Sequence, residues 1–322
     1  MEAIKRMKQI AILMAVYDPN PAWLAQQLDS LEKQTYRPLR LYVRDDASPN
    51  FPFERLEALV AEHIRSFSAE CARNEHNLGS NATFGLLTYQ ADSALLAYCD
   101  QDDVWEPDKL QKLATALENE NAQLACCDLS VIDADGRQTA RSLHDVKPHI
   151  VYRSGEGLAS AFLTTNFVTG CACVVRAEAS RAALPFPQYT VHDQWLALCA
   201  AQRGSIAFVP EALVRYRIHG ENQTPTLKGV HTKKDYYAVR IARDQRRIAE
   251  FGQRVDLGMP QRRLERWMAA REALAAGSVP AWFRLVWLCN VDAKVSLLEL
   301  ALPLIPEKLF QRVLARIQHG QL

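Results

Sequence analysis

The sequence of 322 residues has no excess of charge of either sign. Lys and Arg number 38 against 37 Asp and Glu, and no block of basic residues occurs. This balance gives no overall field that would favour nucleic acid as a partner. No apolar run is long enough and free enough of charge to span a bilayer. The first residues also lack the small-residue cleavage site of a signal peptide, so we expect a cytoplasmic protein.

The sequence also lacks any C-x-x-C pair, although it contains eight cysteines. Cys126 and Cys127 are adjacent, and Cys171 and Cys173 form a C-x-C. Because no pair has the spacing of zinc ligands, a structural zinc site is not expected. We therefore predict buried, reduced thiols.

Up to about Ile132, short apolar runs alternate with segments of helical period. The run "QIAILMAVY" predicts a strand, "PAWLAQQLDSLEKQTY" has apolar residues at helical spacing, and "RPLRLYVRDDASPN" predicts a second strand. Such a β-α-β unit implies parallel strands joined by right-handed crossovers. The pattern predicts a doubly wound α/β fold with a mostly parallel central sheet flanked by helices.

The second half of the chain has a looser pattern. "ADGR" predicts a hairpin turn, and strands are expected in "TNFVTGCACVVRAEA" and "IAFVPEALVRYRIH", on either side of a helix in "HDQWLALCAAQRG". From about Lys228 onward the period is almost wholly helical. We predict an α/β domain over residues 1–227, with halves of about 8–135 and 136–227, followed by a helical region over 228–322.

Three predicted strands end in acidic residues. Tyr17-Asp18 follows the first strand, Asp45-Asp46 the second, and the segment 100–103 a later one. In open α/β sheets, ligands bind beyond the carboxyl ends of the strands. One acidic strand end is commonly only a turn or a cap, but three at one edge predict a functional site.

The stretch "CDQDDVW" permits more than one chemistry. Its closely spaced carboxylates suit Mg²⁺ or Mn²⁺, whereas a calcium loop is excluded because Val104 and Trp105 stand at positions that need an oxygen ligand and a glycine. D-x-D-x-V is also the nucleophile loop of haloacid-dehalogenase-type phosphotransferases, in which Asp100 would attack phosphorus and Asp102 would act as acid and base. A third alternative is a nucleotide- or glycan-binding module without turnover.

Several motifs in order resemble the family-2 glycosyltransferases of GT-A fold. They are "AVYDPNPAWLAQQLDSLEKQTYRPLRLYVRDDAS", "NEHNLGSNATF", "YCDQDDVWEPDKL", "TGCACVVRA", "HDQWLAL" and "YRIHGENQT", and together they cover roughly residues 8–225. The motifs D-Q-D-D-x-W, H-D-x-W and Y-R-x-H-x-x-N are similar to those of rhamnosyltransferase-like members that build surface polysaccharide. The resemblance makes 8–135 the nucleotide-binding half and 136–227 the acceptor half.

The resemblance implies roles for the strand ends of the nucleotide-binding half. Ala15 and Tyr17 would line the base pocket of a nucleoside diphosphate-sugar. Asp45 would accept a hydrogen bond from the pyrimidine N3–H, which a charged acceptor binds strongly, and Asp46 would shape that loop. Asp100 would face the ribose.

Three residues of the loop before the third helix would approach the nucleotide: Asn77, Gly79 and Asn81. Gly79 would allow a close backbone approach, and the following helix N-terminus favours phosphate charge. A glycine turn followed by an asparagine cap is the structural alternative for this loop.

The resemblance also implies a divalent cation, Mn²⁺ or Mg²⁺, bound by Asp102 and by His219. Arg217 would neutralise the diphosphate, and Asn222 belongs to the same motif. Imidazole is a more natural ligand for Mn²⁺ than for Mg²⁺. Asp103 would cap the next helix or contact the acceptor.

In the acceptor half, the resemblance makes Asp193 the general base of an inverting displacement. The alternative is helix capping, because an Asp near a helix N-terminus complements the dipole. His192 stands where the family usually has an acidic residue, so its role stays open. Trp105 and Trp195 would build the sugar or acceptor pocket or serve only in packing, and Gly170-Cys171 would lie on the acceptor-side strand.

The implied function is transfer of a sugar to a hydroxyl of a surface-polysaccharide or lipid-linked glycan. The first donor expected is dTDP-rhamnose and the second a UDP-hexose. Residues 279–317 are dense in apolar side chains with scattered Arg and Lys. They predict either helices that pack on a core or a peripheral contact with the inner face of the plasma membrane.

Overall fold

The computed structural model of the protein describes residues 7–219 and 230–318. These residues belong to two compact units, divided between His219 and residue 220. Asn222 and the end of the predicted α/β domain lie outside the described residues. The eight cysteines are free thiols, and six of them are buried, as expected.

The first unit contains a nine-stranded mixed sheet. The spatial order is β3-β2-β1-β4-β8-β6-β9-β5, and β7 pairs with β6. Its strands are β1 Ile10–Val16, β2 Leu39–Asp45, β3 Ser68–Arg73, β4 Leu95–Cys99, β5 Val104–Trp105, β6 Leu124–Ile132, β7 Gln138–Ala140, β8 Cys173–Arg176 and β9 Ile206–Arg217. Its helices are α1 Pro21–Glu32, α2 Phe53–His63, α3 Ser80–Gln90, α4 Lys109–Asn119, α5 Leu143–Val146, α6 Ala177–Ala182 and α7 His192–Arg203.

The first half of the sheet unit, up to about residue 135, has the predicted parallel arrangement. β1 pairs in parallel with β2 and with β4, and β2 pairs in parallel with β3. β1 is buried along most of its length because apolar side chains leave the sheet on both faces. Leu24, Leu28 and Leu31 give α1 the buried stripe that its spacing predicted. The carboxyl ends of these strands therefore meet at one edge.

The second half of this unit, from about residue 136, is mixed rather than parallel. β8 lies between β4 and β6 and runs antiparallel to both, while β6 and β9 are parallel. The "ADGR" turn joins β6 to the antiparallel β7, as predicted. A short buried apolar strand has the same pattern in either direction, so the sequence did not reveal the reversal of β8.

The second unit is helical, as expected. Its helices are α8 Lys233–Tyr236, α9 Ala242–Arg254, α10 Met259–Ala275, α11 Val279–Trp287, α12 Ala293–Ala301 and α13 Glu307–Gln318, with a π-helical turn over Tyr237–Ile241. Arg271 is fully buried and pairs with Glu299 at 2.7 Å and with Asp244 at 2.8 Å, which joins α9, α10 and α12. None of the helices in the described ranges has the length and apolar content needed to cross a membrane.

Candidate active site

The ends of β1, β2 and β4 form one edge of the sheet, where the acidic residues were expected to meet. Val16 pairs with Asp45, and Met14 pairs with Cys99, the residue before Asp100. Ala15 is half-buried at this edge and Tyr17 is exposed. The structure therefore brings the predicted base-pocket residues to the end of the strand that precedes the acidic loop.

The edge predicted to bind the base is held by side chains that the sequence did not single out. Asp45 is buried, accepts hydrogen bonds from the backbone and hydroxyl of Ser48, and lies 3.2 Å from Nε of Arg73. The Gln101 side chain accepts from the Tyr17 amide at 2.8 Å and donates to the Tyr17 carbonyl at 3.0 Å. Gln101 thus fixes the acidic loop to the end of β1.

Asp46 holds the loop before α3, not the loop at its own strand end that the resemblance implied. Its two carboxylate oxygens accept hydrogen bonds from the backbone nitrogens of Leu78 at 2.8 Å and Gly79 at 2.9 Å. Gly79 has a φ of 84°, which explains why glycine stands there, and Asn77 is exposed. The loop is therefore rigid at its base and presents Asn77 to solvent.

Asn81 has contacts other than those that the motif suggested. Its amide nitrogen donates to the carbonyls of Pro187 at 2.6 Å and Thr190 at 2.7 Å, and its oxygen accepts from the His192 amide at 3.0 Å. In this structure Asn81 holds the entry to α7, and its approach to a nucleotide stays a prediction.

The acidic loop contains carboxylates in three different environments. Burial and the charges of Asp103, Asp102 and Asp193 raise the pKa of Asp100 well above its usual range. Asp103 is fully buried: Oδ1 accepts from the Arg217 amide at 3.0 Å, and Oδ2 has no hydrogen-bond partner among the described residues. Burial, with the neighbouring Asp102, raises the pKa of Asp103 to about 7.

The expectation that Asp103 caps the next helix is wrong. Helix α4 begins later in the chain and its N-cap residue is Asp108. Asp103 instead points inward to the end of β9, because the short pairing of β5 with β9 brings those two segments together.

Asp102 and His219, the two residues expected to bind one divalent cation, are neighbours. Nε2 of His219 lies 2.8 Å from Oδ2 of Asp102, and both side chains are partly accessible. A carboxylate beside an imidazole fits Mn²⁺ better than Mg²⁺. Asp100, Asp103 and Cys171 form a second group within 4.8 Å, but burial raises the pKa of the Cys171 thiol well above its usual range, and a protonated thiol is a poor ligand.

The Arg217 guanidinium lies beneath the acidic loop. It is 1% exposed, and its Nε donates to the carbonyl of Asp102 at 2.7 Å. Its two terminal nitrogens donate to the carbonyl of Asp133 at 3.1 Å and to Oε1 of Gln26 at 2.8 Å. Its central carbon lies 5.2 Å from the centroid of the Trp23 ring. In this arrangement Arg217 positions the loop, and contact with a diphosphate stays a prediction.

Asp193 is in the first turn of α7 and is held by three donors. Oδ1 accepts from the Asn166 side chain at 2.9 Å and from the Gln194 amide at 2.6 Å, and Oδ2 accepts from the Gly170 amide at 3.1 Å. Burial raises the pKa of Asp193 to about 6, and the hydrogen bonds oppose that rise. A carboxylate of this kind is oriented and able to exchange a proton near neutral pH.

His192 is a packing residue in this structure. Its ring lies 4.4 Å from that of Phe84, 5.4 Å from Tyr98 and 5.8 Å from Phe186, measured between centroids. Its Nε2 has no partner within the described part of the chain. Burial lowers the pKa of His192 to about 3, so the imidazole is neutral.

The remaining predicted residues have structural positions, and some residues that contact the site were not predicted. Trp105 and Trp195 are both buried, which supports packing as their role. Gly170 and Cys171 do not lie on the expected strand but in a 3₁₀-helical turn that leads into β8. Asn166, which orients Asp193, was missed because no motif or spacing connects it to that residue.

Comparisons with known proteins identify the family of this chain. The sequence model of the family described as "Glycosyl transferase family 2" matches residues 11–183, just over half of the chain. An uncharacterized glycosyltransferase of Nostoc sp. is 24% identical over 224 residues, which cover 66% of each protein. The succinoglycan biosynthesis protein ExoW of Rhizobium meliloti is 32% identical over 104 residues, or 32% of each protein. The chain therefore spans about two thirds of the first relative and about one third of the second.

Solved structures show the same fold at low sequence identity. S. aureus TarS 1–349 in complex with UDP-GlcNAc has a TM-score of 0.59 at 14% identity, over 83% of this chain and 73% of that one. The mannosyltransferase PcManGT of Pyrobaculum calidifontis, in complex with GDP-Man and Mn²⁺, has a TM-score of 0.56 at 16% identity, over 92% and 87%. The predicted α/β fold of GT-A type is confirmed.

The family match covers the strand ends, the whole acidic loop and Gly170. It therefore favours the resemblance over a phosphotransferase in which Asp100 is the nucleophile, an alternative that also needs a later metal-binding motif absent from the sequence. The chain belongs to glycosyl transferase family 2.

Proposed function

We propose that the protein is an inverting, metal-dependent glycosyltransferase. It transfers a sugar from a nucleoside diphosphate donor to a hydroxyl of a glycan acceptor. The observation that supports this most directly is the environment of Asp193. Three donors orient its carboxylate, its pKa is about 6, and its charge acts on Asp100 at the nucleotide edge.

The donor would bind at the edge formed by β1, β2 and β4. Tyr17 is exposed and can stack on the base, and the buried Asp45 carboxylate can accept the pyrimidine N3–H beside its Ser48 contact. Asp100 would meet the ribose. Asp102 and His219 would hold Mn²⁺ or Mg²⁺, which when bound supplies positive charge for the diphosphate.

In the transfer step, Asp193 would remove the proton of the acceptor hydroxyl. The acceptor oxygen forms the new bond to the anomeric carbon as the bond to the diphosphate oxygen breaks. The proton stays on the Asp193 carboxylate, and the electron pair leaves with the nucleoside diphosphate. One base on the face opposite the leaving group gives inversion without a covalent intermediate.

For the donor, dTDP-rhamnose is our first choice and a UDP-hexose the second. The neighbouring structures contain UDP-GlcNAc and GDP-Man, which supports a nucleotide-sugar in general. The acceptor we propose is a surface-polysaccharide or lipid-linked glycan, supported by the motif spelling and by the name of the succinoglycan relative.

We also propose that the segment 279–317 makes a peripheral contact with the membrane that holds such an acceptor. On α11, Val279, Phe283 and Trp287 lie on one face and are 70%, 66% and 73% exposed. Arg284 is exposed beside this face. An apolar face flanked by a basic residue is typical of helices that lie in a membrane interface.

Thermal unfolding with nucleoside diphosphates tests the central proposal. UDP or dTDP should raise the unfolding temperature, and Mn²⁺ should increase that shift, because a ligand that binds only the folded state stabilises it. GDP and AMP serve as controls for base and phosphate number. If neither UDP nor dTDP stabilises the protein with or without Mn²⁺, the proposed function is wrong.

A further inference from the structure

Lys109 is a fully buried lysine directly beneath the acidic loop. It is the first residue of α4, and its side chain is inaccessible to solvent. Its ammonium donates to the carbonyl of Cys171 at 2.5 Å and lies 2.9 Å from the centroid of the Trp105 ring. Within the described residues it forms no ion pair.

A buried ammonium without an ion-pair partner is unfavourable for folding, so its retention needs a reason. Burial lowers the pKa of Lys109 to about 8. The titratable groups around it are Cys99 at the end of β4, Cys127 in β6, Cys171 before β8, Cys173 at the start of β8, and Asp103 of the acidic loop. Burial raises the pKa of all four thiols, so these are neutral at the pH at which Lys109 is charged.

The contact of Lys109 with Cys171 connects it to the proposed base. Cys171 is the middle residue of the turn Gly170–Ala172, and the first residue of that turn donates its amide to Oδ2 of Asp193 at 3.1 Å. The acceptor of Lys109 and the donor to Asp193 are therefore on consecutive residues. The turn is held from outside by the Lys109 ammonium at the Cys171 carbonyl and by the Cys127 thiol at the Ala172 carbonyl.

We propose that Lys109 is a positioning residue for the base: its ammonium fixes the turn Gly170–Ala172 and so presents the Gly170 amide to Asp193. This inference rests on the proposed function, in which Asp193 is the base. The charge of Lys109 also offsets the carboxylates of the acidic loop, since it acts on Asp103. Trp105 encloses the ammonium from the other side.

Two variants separate the charge from the hydrogen bond. Lys109→Met removes both and replaces the ammonium by an apolar group of similar length, which buried sites tolerate. Lys109→Gln keeps a donor for the Cys171 carbonyl without the charge. Lys112→Met is the matched control, because Lys112 is on the same helix but partly accessible and paired with Asp108 and Glu211.

Turnover of the donor is measured against pH for each variant. Binding of UDP and of Mn²⁺, whose expected ligands are unchanged in these variants, is measured as well. We expect Lys109→Met to lower kcat by about 10-fold to 100-fold, as misplacement of a catalytic group does. The acid limb of the pH profile should move up by about half a unit or more, because a weaker Gly170 contact favours the protonated form of Asp193. The titratable groups that interact with Asp193 are Asp100 and Cys173, and His192 precedes it in the chain; none of them is altered.

Lys109→Gln should retain more activity than Lys109→Met. Lys112→Met should have the activity of the wild-type protein, and none of the three variants should change the affinity for UDP. A pH profile that stays in place in Lys109→Met, or a variant that no longer folds, would overturn the positioning role in favour of a structural one. Asp193→Asn distinguishes the two proposals: if that variant is still active, the proposed base is wrong, whatever Lys109 does.

Discussion

The backbone amide of Gly170 donates to Oδ2 of Asp193 at 3.1 Å, and the same glycine has no room for a side chain. A Cβ built on Gly170 would lie 2.9 Å from Nε2 of His192, a ring enclosed by three aromatic side chains. Gly170 therefore donates its amide to Asp193 and, because it has no side chain, leaves space for the His192 ring.

Substitution of Gly170 by alanine should lower activity without abolishing nucleotide binding. The Cβ and the His192 ring would have to move apart, which displaces the amide from the Asp193 carboxylate. We expect kcat to fall by about 10-fold to 100-fold while the dissociation constant for UDP stays the same. Steady-state kinetics and calorimetry measure the two effects. Gly155→Ala is not a suitable control because its φ of 105° would add strain of its own.

Gly85→Ala is the better comparison for Gly170→Ala. Gly85 is inside α3 with negative φ, and a Cβ there meets Leu184 at 3.7 Å, an ordinary contact. That variant should keep wild-type kinetics. Equal loss of activity in both variants would show that Gly170 has no special relation to the base.

The activity should depend on pH through Asp193. The base acts only when ionised, and burial raises its pKa to about 6, so turnover should rise with pH and reach half its plateau near that value. Asp193→Asn cannot accept the proton and should lose about 100-fold to 10,000-fold in kcat.

The control for Asp193→Asn is nucleotide affinity, which should be unchanged. A wild-type protein with no turnover and with the same ligand affinity as Asp193→Asn would instead indicate a binding module. A profile flat from pH 5 to pH 8 would contradict ionisation of Asp193 as the event that controls the rate.

Removal of the Asp102 carboxylate should weaken metal binding more than nucleotide binding. In the wild-type protein, Oδ2 of Asp102 lies 2.8 Å from Nε2 of His219. Asp102→Asn replaces this carboxylate by a neutral amide. Because neutral amides are weaker ligands than carboxylates, the extra thermal shift that Mn²⁺ gives in the presence of UDP should be lost. The smaller shift produced by UDP alone should remain.

Asp135→Asn is the matched control for the metal experiment, since Asp135 is an exposed carboxylate on the β6–β7 hairpin. It should retain the full Mn²⁺ effect. If Asp102→Asn does so as well, Asp102 is not a ligand of the cation.

Membrane contact should depend on the exposed face of α11. Phe283→Ser together with Trp287→Ser removes two large apolar side chains that are 66% and 73% exposed. We expect this double variant to lose sedimentation with vesicles that contain anionic lipid, while its turnover of a soluble acceptor stays the same. Tyr89→Ser is the control, because Tyr89 is 79% exposed on the α/β unit.

Two other results would contradict a membrane role for α11. Wild-type protein that does not sediment with the vesicles would rule out the contact under those conditions. A wild-type dimer that the double variant converts to a monomer would assign the face to a second copy of the chain instead.

Much of the first half of the α/β unit was predictable because local patterns determine it. The alternation of apolar runs and helical spacing before Ile132 predicts a parallel sheet with its acidic strand ends on one edge. The motifs from Tyr17 to Asp102 were therefore recognisable in order. Side chains such as Gln101 and Asn166 were not, because their partners are distant in sequence and give no periodic signal.

The sequence by itself determined the α/β class, the helical second region and the set of carboxylates that face one edge. Only the tertiary structure decided which of them are accessible: Asp102 is beside His219, whereas Asp103 is buried against the end of β9. It also decided that Lys109 and Asp193 are joined through one short turn. Composition and spacing select the chemical groups, but burial and pairing between distant segments set their charge and orientation.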